Sequence, residues 1–340
     1  MNGNSVYRHT NTAVLAVSAV EAPVVVTSDS FDERLAPTLR RLGLRPGLLQ
    51  GLAGIYERRW FPEGTTYVDA AATAGAKAVA ESGIDIERVG LIVNTSVSRA
   101  YLEPSSAVAI HHQMGLPTSC LNFDLANACL GFVNAMHVAA TMIDAGHIEY
   151  AVVVDGEDAR YTQEATLERL SRPETSVDDL FQEFATLTLG SGGAGMVLGP
   201  ADRHPGAHRL VGGIARSATQ HHELCVGDLE QMHTDTKGLM DAGLALAIDA
   251  WEAAAEEFDW SDMQRYVIHQ VSAVHTSALT ERLGIDPRRV PLTFPMLGNI
   301  GPASVPLTLA RESESLGSGE RVLCMGIGSG LNTSFTELVW

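Results

Sequence analysis

Three residues at the ends of expected elements could act on one substrate. They are Cys129 in Phe123-Asp-Leu-Ala-Asn-Ala-Cys129-Leu-Gly131, His269 in Val267-Ile-His-Gln-Val271, and Asn299 in Leu297-Gly-Asn-Ile-Gly-Pro-Ala303. A cysteine supplies a nucleophile, a histidine accepts a proton, and an asparagine donates a hydrogen bond to an oxygen that gains negative charge. Each also has a plainer use. A free cysteine commonly serves as a small buried hydrophobe, a histidine can be a satisfied core residue, and Gly-Asn is a turn pair. An apolar run at 121–125 reads as a buried strand. A helical pattern follows from about 130 to 145 and stops at Gly146, which suits the position just past a helix end. Cys129 is therefore expected at a strand-to-helix junction, at the positive end of a helix dipole. That position favours thiolate over thiol and aims free backbone N–H groups at whatever the sulfur attacks.

The elements that must position these residues follow in order. Residues 12–26 read as a strand with an irregular end, and 30–42 as a helix. Residues 67–82 form an Ala-rich helix closed by Gly83, and 89–93 a strand. The loop 94–103 leads to Pro104, expected as the first residue of a helix carrying His111 and His112. Strands and helices alternate through this half, so a three-layer α/β pattern with a mostly parallel sheet is expected. Residues 157–188 interrupt the rhythm as a charged, mostly helical insertion. Gly190-Ser-Gly-Gly-Ala-Gly195 lacks the lysine and helix of a phosphate loop and reads as a tight turn. After residue 204 the pattern restarts: strand 210–215, helix 239–258, strand 266–269, helix 271–283, helix 302–316, strand 321–325, then Gly326-Ile-Gly-Ser-Gly330 and a last strand at 333–339. Two similar halves, 1–203 and 204–340, are the expected organisation.

The chain has 340 residues and a net charge of −18, which argues against nucleic acid and anionic membrane surfaces as partners. The polar start and the interrupted apolar stretch at 13–26 fit neither a signal peptide nor a spanning helix. Cys120, Cys129, Cys225 and Cys324 form no paired motif, so a soluble protein in a reducing cytoplasm is expected. His221, His222, Cys225 and His233 match no zinc spacing, and no metal is expected. The adjacent His111 and His112 point to different helix faces. Gly54-Ile-Tyr-Glu-Arg-Arg-Trp60 is a basic, aromatic patch, either a solvated loop or a contact to an anionic group.

Taken together, Ala128-Cys129-Leu-Gly131, His269-Gln270, Gly298-Asn299 and Gly326-Ile-Gly-Ser-Gly330 resemble the thiolase superfamily, nearest its ketoacyl-acyl-carrier-protein synthase III and OleA branch. The likeness covers essentially the whole chain. It implies a duplicated βαβαβαββ fold in five layers, α-β-α-β-α, usually dimeric. It implies that Cys129 takes an acyl group as a thioester, with the N–H groups of Cys129 and Gly330 as oxyanion hole. His269 and Asn299 would then hold the second thioester's carbonyl. Val97-Ser-Arg-Ala-Tyr-Leu-Glu103-Pro104 resembles the OleA loop whose glutamate enters the partner's site, making Glu103 the expected base. Read without the resemblance, Glu103 is an acidic residue near a helix start.

His269-Gln-Val-Ser272, Asn299-Ile-Gly-Pro302 and the insertion Tyr161-Thr-Gln-Glu-Ala-Thr-Leu-Glu-Arg169 also lean toward OleA. Leu48-Leu-Gln-Gly-Leu52 lacks the Trp and Arg that clamp the CoA adenine in synthase III proteins. The implied reaction is a non-decarboxylative Claisen condensation of two fatty acyl-CoA or acyl-carrier-protein thioesters, without a cofactor, feeding olefin or β-lactone synthesis. A malonyl-decarboxylating synthase, a cysteine thioesterase, and one subunit of a heterodimer are the competing readings.

Overall fold

The structure, a computed structural model, describes residues 6–228 and 230–340. The strands are β1 (Val6–Arg8), β2 (Thr12–Glu21), β3 (Val24–Thr27), β4 (Glu57–Trp60), β5 (Val89–Asn94), β6 (Leu121–Asp124), β7 (Tyr150–Glu157), β8 (Gly192–Pro200), β9 (His208–Ser217), β10 (Cys225–Gly227), β11 (Met232–Thr234), β12 (Arg265–Ile268), β13 (Arg321–Gly328) and β14 (Asn332–Val339). The helices are α1 (Ser28–Leu42), α2 (Tyr67–Ser82), α3 (Ser106–Met114), α4 (Gly131–Asp144), α5 (Arg160–Leu170), α6 (Val177–Leu187), α7 (Thr236–Ala254), α8 (Ala273–Leu283), α9 (Phe294–Leu297) and α10 (Ser304–Glu312).

Ten strands join in the order β12-β13-β14-β9-β2-β8-β7-β5-β6, with β1 beside β9. Only Ala13↔Arg209 and Val14↔His208 connect β2 to β9, so the sheet divides at a thin seam into two five-stranded parts. Alternation along β7 gives the layering. Ala151 and Val153 pack with Met136 and Ala140 of α4, while Val152 and Val154 pack with Ala71 and Ala78 of α2. Helices α4 and α10 touch strands of both parts, so they form the middle layer. With α2 and α3 on one outer face and α7 and α8 on the other, the five-layer α-β-α-β-α arrangement results. No helix among the described residues is long and apolar enough to cross a membrane.

Local sequence accounts for most boundaries. Helix α2 starts with a reciprocal Thr66–Asp69 capping box and ends at Gly83 with φ 67°. Helix α4 ends at Asp144, is capped by Ala145, and is followed by Gly146, whose φ is 70°. The stretch expected as one strand at 12–26 is two, β2 and β3, because Pro23 cannot donate to the ladder. Helix α7 begins and ends earlier than its apolar pattern suggests.

Three expectations are corrected. The sheet is mixed and not mostly parallel: among the described residues only β12-β13, β5-β6 and β5-β7 pair in parallel, and the strands around β2, β8 and β9 run antiparallel. The glycine-rich run is not a turn, because residues 192–200 form the buried central strand β8. Its glycines admit the backbone of α2: a Cβ on Gly195 would sit 2.4 Å from the Ala74 carbonyl oxygen. Pro104 does not open α3, which begins at Ser106. The free N–H groups of Ser106 and Ala107 donate to the Asp124 carboxylate, both at 2.9 Å, so the cap comes from β6 and not from the local sequence.

Candidate active site

Cys129 lies in an irregular turn over 127–130, between β6 and α4. Ala128 is held at φ 45°, a strained conformation for a residue with a Cβ. The turn is tied down by side chains: Asn127 Nδ2 donates to Asn134 Oδ1 at 2.6 Å, and Asn332 Nδ2 donates to Asn127 Oδ1 at 3.3 Å. Gly328 leaves room for it, since a Cβ there would lie 2.8 Å from the Asn127 carbonyl oxygen. Asn332 and Gly328 flank Gly330, so the glycine turn that carries Gly330 (φ 112°) is packed against the Cys129 turn.

The surroundings of the sulfur favour the thiol over the thiolate. Burial pushes the Cys129 thiol up to about 12, and the nearby carboxylates of Glu157 and Asp155 add to the shift. The expected effect of the helix dipole is outweighed because desolvation and negative neighbours both disfavour a second anion.

His269 directly follows β12, and its N–H donates to the Met325 carbonyl on the parallel neighbour β13 at 2.8 Å. The next residue of β13, Gly326, abuts Leu130, which follows the cysteine: a Cβ on Gly326 would meet Leu130 Cδ1 at 2.6 Å. His269 is 2% exposed, and its Nδ1 is unpartnered among the described residues. Burial, aided by nearby His275, lowers its pKa to about 3, so the ring is neutral with a lone pair to accept a proton.

Gln270 joins this strand end to the Asn299 turn. Its Oε1 accepts from the N–H groups of Thr293 at 2.8 Å and Phe294 at 3.2 Å, which fixes the start of α9. Four residues later Gly298 turns the chain at φ 70°, where a Cβ would meet the Thr188 carbonyl oxygen at 2.7 Å. The Asn299 backbone pairs with the 188–190 stretch through Asn299 N to Thr188 O and Gly190 N to Asn299 O, both 2.9 Å. Its Oδ1 accepts from Gly301 N at 3.0 Å, which sets the amide flip and leaves Nδ2 as a donor without an acceptor among the described residues.

Glu103 stands apart from these three. It is exposed in the loop between β5 and α3, beside Tyr101 and Leu102, which are 69% and 86% exposed. The loop's two ends are pinned. At the start, Glu157 accepts from Val97 N, Ser98 N and Ser98 Oγ at 2.6, 3.0 and 2.6 Å. At the end, Asp124 accepts from α3 and from Arg99 Nη2. In the middle, the Tyr67 hydroxyl accepts from Ala100 N at 3.2 Å. Asp124, Asp155 and Glu157 were not singled out from the sequence. The only signal was their place at or near the ends of strand-like runs.

Arg58 is fully buried and cannot reach an anionic ligand. It lies over the Phe31 ring and donates to the Ser28 hydroxyl at 3.1 Å and the Leu187 carbonyl at 3.1 Å, closing the C-terminus of α6. The loop 49–53, which lacks the adenine clamp, packs Leu49 and Ala53 into the same core. Among the described residues no three His, Cys, Asp or Glu side chains gather as a metal site.

Residues 123–210 match the family of 3-oxoacyl-[acyl-carrier-protein] synthase III, and residues 253–340 match its C-terminal portion. The acyl-CoA:acyl-CoA alkyltransferase of Xanthomonas campestris is 44% identical over 97% of this chain and 99% of its own. The enzyme of the same name from Shewanella oneidensis is 34% identical over 94% and 96%. A cysteine-to-serine variant of Xanthomonas campestris OleA, solved with lauric acid and lauroyl-CoA, superposes with a TM-score of 0.95 at 43% identity, covering 97% of this chain and 99% of that one.

Proposed function

The chain belongs to the OleA-like condensing enzymes of the synthase III family, and from that premise we propose that it joins two fatty acyl-CoA thioesters by a non-decarboxylative Claisen condensation. The observation that carries this reading is 44% identity to an acyl-CoA:acyl-CoA alkyltransferase along nearly the full length of both chains.

In the first half-reaction, His269 takes the Cys129 proton as the sulfur attacks the thioester carbonyl. The tetrahedral oxyanion sits on the N–H groups of Cys129 and Gly330; a pre-aimed donor of this kind is worth about 3 kcal/mol. CoA leaves as its thiol with the transferred proton, and Cys129 holds the acyl group. In the second half-reaction, the carbonyl oxygen of another acyl-CoA accepts from His269 and from Asn299 Nδ2. Glu103 of a neighbouring protomer removes the α-proton, and the enolate carbon attacks the Cys129 thioester. The bond to sulfur breaks and the departing sulfur is reprotonated while Glu103 gives up the proton it took, so the Cys129 thiol and the Glu103 carboxylate are both restored and a 2-alkyl-3-oxoacyl-CoA results. Water then releases CoA and the β-keto acid, the kind of product that olefin or β-lactone synthesis consumes.

The exposed loop that carries Glu103 and the free edge of β6, where Leu121 is exposed, support a dimer that lends Glu103 across its interface, either with a second copy or with a related subunit. The thin seam between β2 and β9 supports halves at 1–203 and 204–340, with β1 crossing to the second half's strands. The test is Glu103→Ala assayed in two steps. Acylation of Cys129 should persist, read by intact mass, while condensation falls by roughly 10²-fold or more. Loss of acylation together with condensation, or retention of both, would reject the assignment.

A further inference from the structure

We infer that Glu157 is a positioning residue for the condensation step, setting where the Glu103 loop and the Asn299 amide stand. The inference rests on the reading of Glu103 above. Glu157 ends β7, and its carboxylate is buried without a cation. Both oxygens are used: Oε1 accepts from Val97 N, and Oε2 accepts from Ser98 N and the Ser98 hydroxyl. The Ser98 hydroxyl oxygen in turn accepts from Asp158 N at 3.0 Å. The same carboxylate lies against the Asn299 turn, with Oε1 3.4 Å from where a Cβ on Gly301 would be. Gly301 N is the group that orients the Asn299 amide. A single buried carboxylate thus contacts the root of the loop that carries the base and the turn that carries the carbonyl donor.

A buried anion costs several kcal/mol unless its hydrogen bonds are complete. Three donors from two consecutive residues complete this one, and they fix the direction in which residues 99–103 leave the sheet. Asp155, two residues earlier on the same strand, makes the parallel contact one step back, where the Thr95 hydroxyl donates to its Oδ2 at 2.5 Å. Burial raises the pKa of both carboxyls, with Glu157 adding to the rise at Asp155 and the Ser98 and Val97 donors working against it at Glu157, so those donors are what favour the charged form there.

Glu157→Gln keeps the shape but replaces one acceptor oxygen with a donor facing an N–H. The full chain carrying it should acylate Cys129 to full stoichiometry. Its condensation kcat should fall roughly tenfold to a hundredfold with KM little changed, the size expected when reacting groups are misplaced by about 1 Å. Exchange of α-deuterium into bound acyl-CoA in D2O should fall in parallel. Glu157→Asp keeps the charge and should lose less, and it carries the test if the glutamine variant does not fold. Glu157→Gln should cost less in a Glu103→Ala background than in the parent, because the part that acts through the loop is already lost and only the part that acts through the Asn299 turn remains. Condensation at the parental rate in the Glu157 variants, or equal losses of acylation and condensation, would overturn the inference. Parental condensation in Glu103→Ala would instead remove the base assignment on which it rests.

Discussion

Asn299 is held by its own backbone on both sides, so removing its side chain deletes an amide donor and leaves the turn in place. Asn299→Ala should therefore lower condensation by about 10²-fold to 10³-fold, as loss of one aimed donor does, with Cys129 acylation retained. Rapid-quench measurement of CoA release against product formation separates the two. Cys129, His269 and Asn299, the proposed site, stand out in the sequence because each sits in a short motif beside an element's end. The state of the thiol does not, because it depends on burial and on Glu157 and Asp155, whose approach is made by the fold. Arg58 was ambiguous for the same reason. Nothing in Glu-Arg-Arg-Trp says which arginine turns inward to close α6.

The elements were read well where periodicity and caps agree, as in α2 and α4, and poorly where backbone contact decides. Gly190 to Gly195 looks like a turn until α2 is laid on β8. Gly195→Ala should then cost about 1–3 kcal/mol or more, read from urea unfolding, because the clash is with backbone and not with a side chain that can move. A second element-level test concerns the core of α4. His137 is buried, with Nε2 2.8 Å from Thr336 Oγ1 and Nδ1 3.0 Å from His9 Nε2, and burial lowers its pKa to about 3. The unfolded chain binds this proton near pH 6.5 and the folded chain does not, so this stabilisation is full above pH 6.5 and declines as pH falls toward 3. The advantage of the parent over His137→Gln should shrink by about 1.4 kcal/mol per pH unit below 6.5. A constant difference between pH 8 and pH 5 would contradict it.

The whole molecule presents Glu103, the proposed base, outward. A loop pinned at both ends holds Tyr101, Leu102 and Glu103 exposed at its tip, near the free edge of the sheet. If the proposed dimer forms through this loop, Leu102→Asp should weaken it in sedimentation and slow condensation roughly tenfold while leaving acylation intact, as an anchor lost from an interface would. The duplicated architecture was legible from the restart after residue 204, whereas the crossing of β1 to the far strands was not, since that pairing spans two hundred residues. The reaction itself is tested most directly by mixing the purified chain with a panel of saturated acyl-CoAs, without malonyl-CoA, and following intact mass and products. The account predicts an acyl adduct on Cys129 and a 2-alkyl-3-oxo product carrying carbons from both substrates. An adduct that yields only free fatty acid, or a new carbon–carbon bond only when malonyl-CoA is supplied, would contradict it.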